Sequence, residues 1–270
     1  MKKSYLYIGA VLFLNFNLFS QSVGNSKKQL NSGSSSTSSS RKSSSSSSNY
    51  ASDIDFFIGM FQTFGFITYG VLVGDYENEN NLSNNLNSHP FSARGRGNYV
   101  ASDTISKINF RIDIENKYLT ANNSVSGNHL DLKIHPSKYF YFSTDWYQLS
   151  EKNIFTNKQD QLSLYFFNFA YDRIRLENFN IGWTMGASYV ANDVKRGGFS
   201  YGINGEYFLD ANMSIQVDAK LSIINSIPAN AFALKLKYFK NNYFGTVAYE
   251  NLQIASPKYN FIGLGAGIYF

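Results

Sequence analysis

Two residues in this chain have the types and the spacing for acid–base chemistry. His129 and Asp131 stand two positions apart in the stretch HLDLKIH, where apolar and polar residues alternate. Residues two apart on a strand share a face, so the pair can set an imidazole beside a carboxylate, the arrangement of a general base. A wider set of charges falls at the same parity in the segments around it: Arg111, Asp113, Glu115, Lys133, Asp145, Glu206, Asp218, Lys220, Lys235, Lys237 and Glu250. Both signs interleave. On one face of a sheet such a set reads as a network of pairs, and a His within it reads first as a member of that network. No residue cluster has metal-ligand spacing, and no Gly-rich loop runs from a strand into a helix. The chain has no cysteine, which excludes thiolate chemistry and disulfides. No metal and no cofactor is expected. His89 falls in an Asn-rich, turn-prone stretch.

The elements that must position these charges are strands. Near 213–223, Met213, Ile215, Val217, Ala219, Leu221 and Ile223 share one face, and Ser214, Gln216, Asp218, Lys220 and Ser222 share the other. A strand this long, with one face wholly apolar, matches the roughly 9–11 residues that cross a bilayer as a tilted strand. The same separation recurs at 107–115, 129–135, 139–147, 181–190, 199–208, 231–239, 243–250 and 261–270. Residues 161–171 are apolar on both faces. The expected fold is therefore all-β: an antiparallel transmembrane barrel of ten strands, with eight or twelve as alternatives, and a short N-terminal helix. Shorter links at 136–138, 210–212 and 240–241 alternate with longer ones at 118–127, 149–160, 191–198, 224–229 and 252–259, with 172–179, of middling length, as the exception. With short turns on the periplasmic side, the first strand begins and the last strand ends on that side. Across the 210–212 turn, Phe208 should face Ser214 and Asn204 should face Asp218. A symmetric 224–229 loop would set Asp218 against Lys235.

Composition agrees. Aromatic residues make up 17% of the chain and charged residues only 16%, against roughly 25% charged in soluble domains. The mean hydropathy of −0.26 excludes a bundle of membrane helices. The net charge of +5 is carried by the N-terminal end: residues 1–49 hold Lys2, Lys3, Lys27, Lys28, Arg41 and Lys42 and no acid. The rest is nearly neutral, so no nucleic-acid partner is expected.

Four regions follow. Residues 1–20, with Lys2 and Lys3 before an apolar run, read as a signal peptide. Residues 21–49 read as a disordered Ser-rich linker, since 13 serines in 31–50 bury almost no apolar surface. Residues 50–103 read as an apolar helix over 53–73 followed by an Asn-rich loop over 75–99. Ser52 and Asp55 can cap that helix and Gly74 can end it, while Gly59, Gly65 and Gly70 weaken it; a two-strand hairpin is the alternative. Residues 104–270 are the barrel.

The final residues, FIGLGAGIYF, resemble the last strand of bacterial outer-membrane β-barrel proteins, which ends in an aromatic residue after alternating apolar ones. Phe270, Ile268, Ala266 and Leu264 carry the pattern. The resemblance covers roughly 104–270. It implies an outer-membrane location, contact with outer-membrane lipid and lipopolysaccharide, and recognition of Phe270, Ile268 and Leu264 by the barrel-assembly machinery. The Asn-, Lys- and Ser-rich style is similar to that of Bacteroidetes proteins. The leading expectation is a non-enzymatic barrel with a structural or interaction role, its lumen plugged by the charged network. A small selective pore for polar solutes is the second. A rim hydrolase similar to the ten-stranded omptin proteases is the third, resting on strand number and on His129 and Asp131 alone. Oligomeric state is not legible.

Overall fold

A computed structural model describes residues 22–33, 84–92, 95–101, 110–121, 125–152, 159–210 and 212–270. A helix α1 (Val23–Ser32) comes first, then a two-stranded pair of β1 (Asn85–Leu86) and β2 (Tyr99–Val100). Ten strands follow: β3 (Arg111–Thr120), β4 (Val125–His135), β5 (Phe140–Lys152), β6 (Gln159–Arg175), β7 (Phe179–Val190), β8 (Arg196–Leu209), β9 (Met213–Ile224), β10 (Ile227–Lys240), β11 (Tyr243–Ile254) and β12 (Lys258–Tyr269). Each pairs antiparallel with the next, and β12 pairs with β3 to close the ring. Closure leaves no unpaired sheet edge, a requirement for a sheet in lipid. The end of the barrel where β3 starts and Phe270 lies is called the near end, and the opposite one the far end.

The strands run further than their alternation suggested. The 161–171 segment grows to Gln159–Arg175, with a register shift between Asp172 and Ile174. The expected contrast of short and long links narrows among the described residues: 224–229 shrinks to 225–226 and 252–259 to 255–257, while 191–195 stays a five-residue link. The β9–β10 connection is only Asn225–Ser226, both at positive φ (52° and 62°), as a tight two-residue hairpin requires. That turn sets Asp218 opposite Ala233, two residues from the expected Lys235. The 210–212 hairpin pairs Phe208 with Ser214 and Asn204 with Asp218, as expected.

Three N-terminal readings need correction or fall outside the described residues. The linker 21–49 was expected to lack structure, yet 22–33 are ordered. Ser22 caps α1 by accepting from the Asn25 amide, and Val23, Ser26 and Leu30 lie fully buried on one face. Burial in the far mouth of the barrel outweighs the weak intrinsic propensity of VGNSKKQLNS. The Asn-rich stretch is likewise ordered over 84–92 and 95–101, where Asn85 pairs with Val100 and Leu86 with Tyr99. The regular barrel starts at Arg111. The signal 1–20, the remainder of the linker and the apolar 53–73 lie outside the described residues.

The outer wall is apolar. Phe142, Phe167, Ile203, Ile223, Leu234, Val247 and Leu264 are exposed, Ile203 by 64% and Leu264 by 63%. They are part of a band that circles the barrel, far beyond the few hundred Å² of apolar patch common on soluble monomers. The band is displaced toward the near end. On part of the wall the outward positions near the far end are polar: Asn116 and Thr120 on β3, Gln148 and Lys152 on β5, Gln161 on β6, Lys258 on β12; on β7 and β9 the apolar band reaches that end at Tyr189 and Ile223.

Candidate functional site

The inward residues fill the barrel in three layers. At the far end, Leu119, Val125, Leu149, Leu162, Leu164, Phe166, Val190, Ile224, Leu252, Ile254 and Phe261 form an apolar core. The Val23 and Leu30 side chains of α1 complete it. Polar contacts fix the helix to the rim. The Val23 amide donates to Glu151 Oε2 at 2.6 Å, and Ser26 Oγ donates to the Ile254 carbonyl at 2.9 Å. Asn225 Nδ2 donates to the Leu30 carbonyl at 2.8 Å, and the Ser256 amide donates to Gln29 Oε1 at 3.1 Å. Lys27 pairs with Asp193 at 2.9 Å, which holds the exposed Asp193 carboxyl below its ordinary range.

Charge fills the middle. Lys235 Nζ lies 3.1 Å from Asp131, 3.2 Å from Asp218 and 3.4 Å from Glu115. Lys117 pairs with Glu250 at 2.9 Å, and Lys220 pairs with Asp145. Lys237 stands 3.8 Å from Glu206. Lys235–Asp131 joins β10 to β4 and Lys220–Asp145 joins β9 to β5, strands four apart in a ring of ten. These pairs therefore reach across the lumen. A buried charge is tolerated when it is paired and hydrogen-bonded; each of these lysines has a carboxylate within 4 Å, while Lys117 Nζ, Glu115 Oε1 and Asp131 Oδ1 make no hydrogen bond.

The 84–101 segment closes the near end. Arg111 is its anchor: Nε and Nη2 donate to the two Asp113 oxygens at 2.7 and 2.9 Å, Nη1 to the Asn87 carbonyl at 2.9 Å, and Nη2 also to Asn98 Oδ1 at 3.1 Å. Tyr99 donates to Asp172 Oδ2 at 2.6 Å, and Asn98 donates to Glu206 Oε2 at 3.2 Å. Phe91 packs against Phe208 and Phe239. His135 Nε2 stands 3.2 Å from Asp113.

The structure separates the pair that opened the sequence reading. His129 Nδ1 faces Glu250 at 3.0 Å, its Nε2 faces Asp145 at 3.2 Å, and its ring stacks on Tyr147 at 3.7 Å. Asp131 belongs to Lys235. Both nitrogens of a buried ring are engaged by carboxylates, so neither is free to take a proton from a substrate. Arg111, Asp113, Lys133, Asp145, Asp218, Lys220, Lys235, Lys237 and Glu250 all line the interior, with Lys133 facing a cavity between the middle layer and the near end. That cavity holds about 30 Å³, and a second, beside His129 and Lys235, about 10 Å³. One water needs about 10–15 Å³, so the first has room for two or three waters and the second for about one.

Three inward charges were not legible in the sequence. Lys117 has the parity of Arg111 and Asp113 but lay past the expected end of its strand. Glu115, found by parity, would have led to it had the strand been continued. Asp172 and Arg175 lie beyond the two-faced 161–171 segment, and the register shift there breaks parity. His135 falls on the polar face of 129–135 by parity, and the structure sets it inward beside Asp113.

No protein-family model and no curated protein matches the chain. Among solved structures it is similar to an outer-membrane channel from Pseudomonas putida F1, at 9% identity over 62% of this chain and 97% of that one, with a TM-score of 0.34. It is similar to the NanC porin at 10% identity over 58% and 98%, TM-score 0.38. It is similar to Ail, the attachment invasion locus protein of Yersinia pestis, at 13% identity over 60% and 96%, TM-score 0.28. The strand order and the closure rest on this chain's own pairings.

Proposed function

We propose that this chain is an integral outer-membrane barrel, closed to solutes, with a structural or interaction role. The observation that carries the reading is the filled lumen: an apolar core under α1, ion pairs that meet across the middle, and the 84–101 segment anchored by Arg111. Ten strands enclose little more than their own side chains, and here those side chains interlock. The band of exposed apolar residues supports the membrane location, because water would leave that area unburied at roughly 25 cal/mol per Å². The near end, flush with the band, is the periplasmic side, and the far end projects beyond the lipid on the outside. Lipid and lipopolysaccharide are then the partners of the wall. Phe270 exchanges backbone hydrogen bonds with Ile112 across the closing strands, and Leu264, Ile268 and Phe270 on the outer face offer the assembly machinery its contact. His129, engaged on both nitrogens, favours no hydrolase.

The purified protein, shown to be folded by heat-modifiable gel migration, should give no steady unitary current in a planar bilayer. Regular single-channel steps would overturn the closed-barrel reading and favour a small pore.

A further inference from the structure

In the middle of the apolar band, among the described outward residues, only Asn116 on β3 and Thr144 on β5 carry polar side chains that are not aromatic. Asn116 is exposed and Thr144 partly so, and neither side chain has a hydrogen-bond partner among the described residues. Apolar neighbours surround Asn116. It pairs with Ala266 on one side and Leu130 on the other, and Ile114 and Tyr118 flank it on the outer face of its own strand. In hydrocarbon such an amide is costly, because neither its donors nor its acceptor meets water.

The two polar residues lie at one depth. Following paired residues from Ile112 at the near end of β3, strand by strand round the ring, arrives at Lys258 at the far end of β12. The pairs therefore climb the wall, by about 3 Å per strand for strands about 4.8 Å apart and tilted near 40°. Two residues along a strand tilted this much rise about 5 Å. Asn116 pairs with Leu130, and Leu130 pairs with Trp146. Two steps of climb put Trp146 about 6 Å above Asn116, so the β5 residue level with Asn116 is Thr144.

On the proposed membrane location, on which this inference rests, we propose that two copies of this chain associate within the membrane through the β3–β5 face, with β4 on the two-fold axis. An axis along the membrane normal keeps depth and exchanges left for right. It sets β3 of one copy against β5 of the other, and so Asn116 against Thr144 of the second copy, twice. The amide can donate to the hydroxyl oxygen or accept its hydrogen. A lipid tail offers neither. The levels on either side match as well: Ile114 meets Phe142 of the second copy, and Tyr118 meets Trp146. An interface between identical faces requires such self-complementarity. Leu130 and Leu132, outward and partly exposed on β4, meet their own counterparts at the axis.

The absence of cysteine makes the test direct. Leu132→Cys places a thiol beside the axis. Val217→Cys places one at about the same depth on the opposite wall, since β9 is five strands from β4 in the ring of ten. Outer membranes from cells making each variant are oxidised with iodine and run on denaturing, non-reducing gels. Leu132→Cys should give a disulfide-linked dimer, and Val217→Cys should stay monomeric. Adding Asn116→Leu or Thr144→Val to Leu132→Cys should lower the dimer fraction about threefold or more, the strength typical of hydrogen bonds inside membranes. Heat-modifiable migration of each unoxidised variant checks its folding. If the protein is absent from the outer-membrane fraction, the membrane reading itself fails. If it is present and folded there, yet Leu132→Cys cross-links no better than Val217→Cys, the dimer is wrong. Cross-linking that survives both Asn116→Leu and Thr144→Val undiminished would overturn the proposal too, because the contact between amide and hydroxyl defines this interface.

Discussion

The two halves of the lumen hold their shape by different means. Toward the far end, Leu119, Leu162, Leu164, Phe166, Leu252 and Phe261 pack as in a soluble core. Beneath that core, at mid-height, Lys117, Lys220, Lys235 and Lys237 interleave with Glu115, Asp131, Asp145, Asp218 and Glu250. An apolar contact is non-directional, so losing one member of the first half leaves a void of limited cost. An ion pair depends on its partner, and losing one member of the second half leaves buried charge uncompensated. The same wall thus carries one filling that yields gradually and one that fails at single residues.

The sharpest contrast should come from Lys235→Met. It strands Asp131, Asp218 and Glu115 together and should cost about 3–5 kcal/mol or more, read from urea unfolding in detergent micelles; a loss under about 1 kcal/mol would remove the distinction between the halves. Leu164→Ala, fully buried in the apolar half, should cost about 2–4 kcal/mol, and the variant should still migrate as a folded barrel. Leu30→Ala should be smaller and local, about 2 kcal/mol, since it loosens α1 and leaves the ring intact. Limited proteolysis should then cut near residue 30 while the barrel resists, and simultaneous loss of both would show that α1 is integral to the core. The smallest effect is expected at Lys27–Asp193. Folding holds the Asp193 carboxyl below its ordinary pKa through its hydrogen bond with Lys27, so its contribution is present above that ordinary value, about 3.9, and fades as pH falls through the lower folded-state value. Helix docking in the wild type, followed by protease sensitivity, should weaken slightly below pH 4, and Lys27→Ala should abolish that dependence.

How much of this was legible depends on the kind of signal. A strand with lipid on one side and packed side chains on the other writes its face into every second residue, so nine of the ten strands and the inward position of Asp218, Lys220, Lys235 and Glu250 could be read from alternation alone. Alternation says nothing of distance across the ring, so it could not show that Asp131 belongs to Lys235 or that His129 belongs to Glu250 and Asp145. Where an inward face meets an apolar cap, as with Leu162, Leu164 and Phe166, both faces are apolar and the parity signal vanishes. The helix α1 carries only Val23 and Leu30 as apolar anchors, and their worth appears once the mouth that receives them exists.

Glu250 has a consequence for the order of events in assembly. It sits on β11, while its partners Lys117 and His129 sit on β3 and β4, on the other side of the junction between the last and first strands. On β12 between them, the Cα of Gly265 faces the Lys117 side chain so closely that a methyl group there would meet Lys117 Cγ at 2.4 Å. In an open sheet these charges are far apart and keep their water. They come together only as β12 meets β3, so the ion cluster is a latch completed in the same moment that the ring becomes a ring.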